Sequence, residues 1–275
     1  MKPYCSVIEM EREKTQLSET ISFKGEHVLV TGASSGIGRA IAERFAEAGA
    51  NLILLDINNE GLTTTIKGCM GEEGIHASYA LDLSDKNKID KFWRGIKTLP
   101  DILINNVGIY PEQDFLKLSE KDLERTIDIN INSTIWMCQN FIKMRGKRGG
   151  VIVNISSIEA ILPFKKDLAP YSMSKAAVIA LTRSLARDYG KEGFRVNAIL
   201  PGAIKTPGTE SLIKSALKTF RFDQVMTGFN FQQRLANGRW GKPDDVAGAV
   251  IFLSSDLASY IQGVALPVDG GFLSS

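Results

Sequence analysis

Two side chains that can move a proton together lie in the segment PYSMSKA: Tyr171 and, four positions later, Lys175. Pro170 predicts a helix that begins just before Tyr171, because proline suits the first turn of a helix. A free tyrosine, with a pKa of about 10, is a poor base at neutral pH. A nearby ammonium favours the phenolate and lowers that pKa. The pair is therefore either an acid/base with its electrostatic partner or two amphipathic neighbours on one helix face, and spacing alone does not decide.

A glycine-rich turn occurs near the start of the chain, in TGASSGIG at positions 31–38. It follows an apolar run and opens a helical pattern, so the helix N-terminus would present N–H groups to a pyrophosphate. Its spacing, G-x-x-x-G-x-G, differs from the general G-x-G-x-x-G fingerprint, and the RA that follows it excludes a Walker A lysine. The segment predicts a dinucleotide site, with a purely structural turn as the alternative.

Asp56 ends the next apolar run, 24 positions after Gly32. This spacing is near the ~20 positions at which an acid accepts hydrogen bonds from the adenosine ribose. A carboxylate there repels a 2′-phosphate, and the neighbouring Ser35 and Ile57 carry no positive charge that would pair with one. Asp56 therefore predicts NAD rather than NADP, and the alternative is a capping or turn aspartate.

The elements that must position these residues alternate, from residue 26 onwards, between short apolar runs and helical periodicities. This alternation is typical of an α/β protein with a doubly wound parallel sheet and helices on both faces. One domain over residues 23–275 is the simplest organisation, with its ligand crevice beyond the carboxyl ends of the strands. The predicted strands are HVLVTG, NLILLD, SYALDL, DILINNVG, GVIVNISS, RVNAILPG and GVALPVDGG.

Composition and charge disfavour several classes of protein. The 275 residues are 44% hydrophobic and 23% charged, which is typical of a folded soluble chain. A net charge of +2 without a basic run disfavours nucleic acid as a partner. Residues 1–22 lack the apolar core of a secretory signal, and no run reaches the ~20 apolar residues of a membrane span. We expect a cytoplasmic protein whose N-terminal arm, 1–22, is either a short amphipathic helix on a partner subunit or disordered.

The cysteines and histidines are too few and too scattered for a metal centre. Cys5, Cys69 and Cys138 show no C-x-x-C spacing, which indicates reduced thiols rather than disulfides or a zinc site. Only His27 and His76 are present, so we predict no metal site and no histidine-based triad.

Five motifs occur in a fixed order and together resemble the short-chain dehydrogenase/reductase family. They are TGASSGIG, NNVG (105–108), NISS (154–157), YSMSK (171–175) and PGAIKT (201–206). The resemblance runs from about Phe23 to Phe272. It implies a single Rossmann-type domain, a nicotinamide cofactor, an oxidoreductase of secondary alcohols and ketones, and commonly a homotetramer.

The resemblance also implies a catalytic set, which comprises Asn130, Ser157, Tyr171 and Lys175. Ser157 would donate a hydrogen bond to the substrate oxygen, and Lys175 would also bind the nicotinamide ribose. Asn130 would hold a helix kink and a water linked to the lysine, with Asn132 as a rival two places on. Ser133 replaces the glycine that often follows in the family.

For the cofactor, the resemblance implies a larger set, in which Val107 stands where the family has alanine. Its members are Gly32, Ser34, Ser35, Gly36, Ile37, Gly38, Asp56, Asp82, Leu83, Asn106, Tyr171, Lys175, Ile204 and Thr206.

Substrate specificity is predicted from two segments. Residues 203–239 would form a lid whose phenylalanines give a partly apolar pocket; these are Phe220, Phe222, Phe229 and Phe231. Its basic excess favours an acidic substrate or acyl carrier, or is only a solvated helix face; the charged residues are Lys205, Lys214, Lys218, Arg221 and Arg234, against Glu210 and Asp223. The loop between Ser157 and Tyr171 is one residue longer than in many relatives, and we expect residues 164–167 to bulge outward.

The first hypothesis is an NAD-dependent oxidoreductase of a secondary alcohol or ketone. Its alternatives within the family are a 3-oxoacyl-carrier-protein reductase using NADPH, a sugar, polyol or glucose-dehydrogenase-like enzyme, and a hydroxysteroid-type enzyme. Arg148 and Arg187 match positions at which the acyl-carrier reductases dock their carrier. From other classes, a catalytically silent dinucleotide-binding scaffold is disfavoured by the intact catalytic set, and a nucleic-acid binder ranks third.

Overall fold

Seven parallel strands form one sheet in a computed structural model that describes residues 16–69, 74–210 and 231–275. Their order across the sheet is β3-β2-β1-β4-β5-β6-β7, the doubly wound arrangement predicted from the sequence. The strands are β1 (His27–Thr31), β2 (Asn51–Asp56), β3 (His76–Ala80), β4 (Ile102–Asn105), β5 (Gly150–Ile155), β6 (Phe194–Pro201) and β7 (Ala265–Val268).

Helices cover both faces of the sheet. Those of the described residues are α1 (Leu17–Thr20), α2 (Gly36–Glu47), α3 (Asn59–Gly68), α4 (Lys86–Gly95), α5 (Glu120–Ile127), α6 (Ser133–Arg145), α7 (Ala169–Tyr189) and α8 (Pro243–Ser254). Val28 and Val30 of β1 pack in one core cluster with α2, α3 and α8. Leu29, between them, packs in a second cluster with α4, α6 and α7. Alternate residues of a buried strand thus anchor opposite helical layers.

The crevice opens where β1 and β4 lie side by side. From β1 the chain continues to β2 on one side, and from β4 it continues to β5 on the other, so their carboxyl ends form the topological switch point. Thr31, the last residue of β1, joins the two ends. Its hydroxyl oxygen accepts hydrogen bonds from the amides of Asn106 (2.9 Å) and Val107 (3.1 Å).

The edge strand β3 begins and ends earlier than the predicted segment SYALDL. It pairs only with β2, and its last three side chains are exposed. Leu81 and Leu83 follow the strand and pack in the second core cluster. Their apolar character therefore reflects burial beneath the sheet rather than strand pairing.

The N-terminal arm is described only from residue 16, so residues 1–15 of the predicted 1–22 segment, with Cys5, lie outside the described residues. Helix α1 is a single exposed turn. Phe23, at the predicted start of the domain, is buried edge-on against Phe45, with ring centroids 4.9 Å apart. Cys69 and Cys138 are buried, and no disulfide joins them. Among the described helices, none combines the length and apolar character needed to cross a bilayer.

Candidate active site

The glycine turn fits a pyrophosphate. Gly32 and Gly36 have positive φ angles of 66° and 55°, a conformation that glycine adopts without strain. A Cβ at Gly38 would lie 2.1 Å from the Gly32 carbonyl oxygen, so the backbone there is too close for any side chain. No side-chain hydrogen bond from Ser35 caps the N-terminus of α2. The first turn of this helix therefore presents backbone N–H groups and a positive dipole end to the crevice.

Asn106 holds the end of β4 against this turn. Its side-chain amide nitrogen donates to the carbonyl oxygens of Thr31 and Gly32, both at 3.1 Å. Val107 packs against the second core cluster, so the residue that departs from the family motif points its methyl groups into the core.

Asp56 lies at the end of β2, and its carboxylate is held by two backbone amides. One oxygen accepts from Ser34 of the glycine turn (3.0 Å) and the other from Asn58 (2.9 Å). The cap of α3 is Asn58, whose side chain accepts from Gly61 (3.1 Å). Asp56 is thus a turn residue as well as a ribose candidate, and the bond to Ser34 fixes the carboxylate beside the glycine turn.

The sequence did not predict the role of Arg39, a cation near this turn. Arg39 donates from its guanidinium to the Ser34 carbonyl oxygen and to the hydroxyl of Thr65 (3.1 Å). Its position in α2, three residues beyond Gly36, was the only sequence signal. A positive charge therefore packs against the same residue, Ser34, that Asp56 binds.

Two residues of the predicted cofactor set, Asp82 and Leu83, lie after β3. Asp82 accepts hydrogen bonds from the amide (3.0 Å) and hydroxyl (2.7 Å) of Ser84, and the hydroxyl bond is the main cause that lowers the pKa of its carboxyl. Leu83 is buried in the second core cluster. Thr206, another residue of the predicted cofactor set, faces the glycine turn, since a Cβ at Gly36 would lie 3.3 Å from the methyl carbon of Thr206.

The three residues predicted for proton transfer come together at the start of α7. Pro170 occupies its first turn, as expected. The side chains of Ser157 and Tyr171 are hydrogen-bonded. Lys175 is buried, donates to the Ile155 carbonyl oxygen (2.9 Å), and has its ammonium 5.9 Å from the centroid of the Tyr171 ring.

The pKa of Tyr171 shifts in the direction opposite to the sequence expectation. Burial raises it to about 12, and the bond to Ser157 opposes that rise without cancelling it. Burial also lowers the pKa of Lys175 to about 8, because a desolvated ammonium loses its proton more readily. In this state of the protein Tyr171 is a neutral phenol at neutral pH and a proton donor.

Asn130 lies in a π turn, Asp128–Asn132, that separates α5 from α6. Its side chain is buried; it accepts from the Ile109 amide (2.8 Å) and donates to the Ile109 carbonyl (3.0 Å) and the Ser174 hydroxyl (3.0 Å). The rival, Asn132, instead donates to Asp128 (2.8 Å). The predicted helix irregularity is therefore present, and Asn130 is the residue that joins it to α7.

A cavity of about 590 Å³ lies in front of these groups. Of the predicted residues, it brings together Ile37, Asn106, Ser157, Tyr171, Lys175, Ile204, Thr206 and Phe231. Asp56, Asp82 and Leu83 do not line it; they lie at the ends of β2 and β3. Four ionisable residues in its wall were not predicted, namely Tyr110, Glu112, Glu159 and Lys165.

The long loop before α7 turns inward, so the predicted outward bulge is wrong. Phe164 packs against Phe231 and Phe272, with centroid distances of 4.8 and 5.0 Å, and Lys165 lines the cavity beside it. Lys166 is exposed. The aromatic contacts provide more buried area than an outward loop would, which explains the direction of the fold.

The predicted lid is described at its two ends, 203–210 and 231–239. Phe231 is buried in a third apolar cluster, whereas Ile204 is buried in the first core cluster. Arg234 is exposed and lies over the Phe272 ring, 4.3 Å from its centroid; Lys205 and Glu210 are also exposed. Outside the described residues lie Lys214, Lys218, Phe220, Arg221, Phe222, Asp223 and Phe229.

The two arginines that match acyl-carrier docking positions lie near the amino ends of the strands, on the side of the sheet away from the cavity. Arg148 precedes β5 and donates to the carbonyls of Met144 (3.0 Å) and Arg145 (3.3 Å). Arg187 lies near the carboxyl end of α7 and pairs with Asp188 (2.9 Å). Because Tyr171 lies at the opposite end of α7, the length of that helix separates Arg187 from the cavity.

Comparison with known proteins finds one family model, described as enoyl-(acyl carrier protein) reductase, that matches residues 32–273. The 3-oxoacyl-[acyl-carrier-protein] reductase of Thermotoga maritima is 34% identical, over 91% of this chain and 98% of its own. Gluconate 5-dehydrogenase of Gluconobacter oxydans is also 34% identical, over 94% and 98%. A solved structure from Agrobacterium tumefaciens, provisionally named 2-deoxy-D-gluconate 3-dehydrogenase and containing NADP, has a TM-score of 0.81 and 34% identity over 93% and 99%.

Proposed function

This chain belongs to the short-chain dehydrogenase/reductase family and interconverts an alcohol and a carbonyl group with NAD(P), and we propose that Tyr171 is its acid and base. One observation carries this assignment. The Ser157 hydroxyl and the Lys175 ammonium converge on the Tyr171 phenol at the wall of a cavity that begins at the glycine turn.

The reaction needs a proton at the oxygen whose carbon gains or loses hydride. The nicotinamide cofactor supplies or accepts that hydride when it is bound. Ser157 donates a hydrogen bond to the substrate oxygen and stabilises the charge that develops there. Tyr171 gives its phenolic proton to the alkoxide during reduction and takes it back during oxidation. Lys175, held by the Ile155 carbonyl, stabilises the phenolate that forms.

Asn130 is a positioning residue in this scheme. Its bonds fix the Ile109 backbone and the Ser174 hydroxyl. A Cβ at Gly108 would lie 3.2 Å from the Lys175 ammonium and 3.4 Å from the Asn130 side-chain oxygen, so this backbone runs between the two side chains. We propose that the water predicted to link Asn130 with Lys175 lies beside the Gly108 backbone.

We assign the pyrophosphate to the backbone of 32–38 and the adenosine ribose to Asp56, with NAD as the preferred cofactor. The carboxylate beside Ser34 supports this choice, since a 2′-phosphate there would meet a negative charge. NADP bound to the Agrobacterium relative and the guanidinium of Arg39 at the same turn favour the opposite choice. Comparing kcat/KM with NADH and NADPH decides between them, and a ratio above one in favour of NADPH would contradict the assignment to NAD.

A second candidate function is 3-oxoacyl-carrier-protein reduction with NADPH. It is favoured by the similarity over 91% of the chain to the Thermotoga maritima reductase. The distance of Arg148 and Arg187 from the cavity edge gives it no further support within one subunit. A panel of 3-oxoacyl thioesters, cyclic ketones and hydroxyketones, followed at the absorbance band of the reduced nicotinamide, distinguishes the two functions. Thioester reduction faster than that of every small ketone would establish the second.

Tyr171→Phe tests the proposal directly. The change removes the phenolic proton and leaves the ring contacts, so we expect turnover to fall by at least about 100-fold, in line with the usual contribution of general acid–base catalysis. NADH binding, measured by fluorescence titration, should stay within about twofold. Retained turnover would show that another group moves the proton.

We also propose that the protein is cytoplasmic and forms a homotetramer, as the family resemblance implies. Exposed apolar side chains on and after α8 support association; these are Phe252, Leu257 and Tyr260. Light scattering at micromolar concentration should give four times the 30.1 kDa chain mass.

A further inference from the structure

An ion pair in the cavity wall has no part in proton transfer. The Lys165 ammonium contacts the Glu112 carboxylate, and their side chains are only 20% and 16% exposed. Glu112 lies in the segment after β4 and Lys165 in the long loop before α7, so the pair joins these two segments in the cavity wall.

The ring of Tyr110 lies between the Glu112–Lys165 pair and Tyr171, the proposed acid. The Lys165 ammonium lies 5.3 Å from the centroid of Tyr110. The Tyr110 ring meets Tyr171 edge-on, with centroids 4.7 Å apart and planes at 74°. A substrate whose reacting carbon lies at Tyr171 would therefore extend its next few atoms past Tyr110 towards the charged pair.

A second carboxylate lies on the same side. Glu159 is 2% exposed and accepts hydrogen bonds from the Lys165 amide (3.3 Å) and the Ser172 hydroxyl (3.2 Å). Much of the remaining wall is apolar, and its aromatic side chains are Phe164, Phe231 and Trp240. The cavity thus combines one apolar wall with a wall of hydrogen-bonding charges.

A cavity with these two walls favours hydroxylated substrates over apolar ones. An apolar ketone would bury the Glu112–Lys165 pair without offering hydrogen bonds, and desolvating charges without compensation is costly. Hydroxyl groups can donate to Glu112 and accept from Lys165, while the carbon chain packs on the aromatic wall. Sites that hydrogen-bond a substrate hydroxyl reject analogues that lack it far more strongly than apolar pockets reject extra groups.

We propose that the Glu112–Lys165 pair is a specificity-determining site that binds the hydroxyl groups of a polyhydroxylated alcohol, or of its keto form, next to the reacting carbon. This inference rests on the proposed function and narrows its substrate to polyhydroxylated alcohols and their keto forms.

The test compares alditols and aldonates of four to six carbons with 2-alkanols of the same lengths, using the full-length protein and NAD or NADP. We expect the wild type to favour the polyhydroxylated set in kcat/KM. Lys165→Met should lower kcat/KM for that set by about 10- to 100-fold, the range for one hydrogen bond to a charged group, mainly through KM. It should leave the 2-alkanols within about threefold.

Matched variants separate this role from general damage. Lys166→Met removes the neighbouring, exposed lysine and should change neither substrate set. Lys165→Arg keeps the charge and should retain the preference for hydroxyls. Glu112→Gln should lower kcat/KM for the polyhydroxylated set in the same way as Lys165→Met. NADH binding should match the wild type in all four variants, because none of these residues belongs to the proposed cofactor set.

Two results would overturn the inference while leaving the proposed function intact. One is a wild type that oxidises 2-alkanols at least as well as polyols, with turnover lost in Tyr171→Phe. The other is an equal loss on both substrate sets in Lys165→Met and Glu112→Gln. Failure of the wild type to turn over any alcohol or ketone, despite NADH binding, would instead overturn the proposed function and the inference with it.

Discussion

At the phenol of Tyr171, neighbouring groups act in different directions. Burial and the carboxylate of Glu159 raise its pKa, whereas the bond to Ser157 lowers it. Tyr110 adds no charge, but its ring fixes the orientation of the Tyr171 ring. Ser157 therefore affects the protonation of Tyr171, whereas Tyr110 affects the orientation of its ring.

Tyr110→Ala should slow turnover by loosening Tyr171. An edge-to-face aromatic pair contributes about 0.5–1.5 kcal/mol beyond its buried area, which corresponds to about a 2- to 10-fold loss of kcat. Tyr110→Phe keeps the ring and should keep kcat. Steady-state kinetics on both variants, with KM for the cofactor unchanged, would support the positioning role, and equal kcat in the alanine variant would disprove it.

Asp56→Asn tests cofactor choice at a single residue. The asparagine keeps an acceptor for the amides of Ser34 or Asn58 but removes the charge that would repel a 2′-phosphate. We expect the NADH/NADPH ratio of kcat/KM to fall by about tenfold or more, the effect of about 1.4 kcal/mol. Asp56→Ala should produce the same fall together with a lower Tm, because both amides lose their acceptor. An unchanged ratio would place the ribose elsewhere.

At the scale of elements, the site is made by the ends of strands and the starts of helices. β1 leads into the glycine turn and α2, while β5 leads into Ser157 and then α7. The Ser156 hydroxyl donates to the Lys175 carbonyl (2.7 Å) and ties the end of β5 to α7. The connection from β1 to α2 thus positions the glycine turn, and the connection from β5 to α7 positions the proton donor.

Gly38→Ala should disrupt the first of these connections. Its Cβ would lie 2.1 Å from the Gly32 carbonyl oxygen, a separation that real Cβ atoms do not adopt, so the turn must open. We expect NADH binding to weaken by at least about tenfold and Tm to fall, since overpacking costs about 1–3 kcal/mol. Gly248→Ala is the matched control, because nothing lies within 4 Å of a Cβ there in α8. That change should stabilise the protein by about 0.5–1 kcal/mol.

The sequence predicted those parts of the site that depend on local patterns. The seven strands, the glycine turn and the start of α7 at Pro170 follow from hydrophobic runs and backbone chemistry, and the structure confirms them except for the bounds of β3. The side chains that require long-range contacts were missed. Arg39 meets Thr65, 26 positions away, and Lys165 meets Glu112, 53 positions away, and no local pattern specifies such pairs. The inward turn of Phe164 likewise depends on Phe231 and Phe272.

At the scale of the whole molecule, charged residues from distant parts of the chain cluster near the amino ends of the strands, opposite the site. Glu26 precedes β1, and the groups that act on it are Asp101, Asp256, Arg145 and Arg195. Burial, followed by the two aspartates, raises the pKa of Glu26 to about 7, and the two arginines only partly oppose the rise. The folded protein therefore holds this proton more tightly than an unfolded chain with a glutamate pKa of 4.5.

That difference makes stability depend on pH in a defined direction. The contribution of Glu26 is fully present below pH 4.5 and is lost as pH rises through about 7, because ionisation is then costlier in the folded state. Glu26→Gln removes the ionisation, so we expect its Tm to match the wild type near pH 4 and to exceed it at pH 8. Thermal unfolding at both pH values measures the difference in Tm between variant and wild type. Glu124→Gln, at an exposed glutamate of α5, is the control. A Tm gain that is equal at both pH values would mean that Glu26 does not carry the shift.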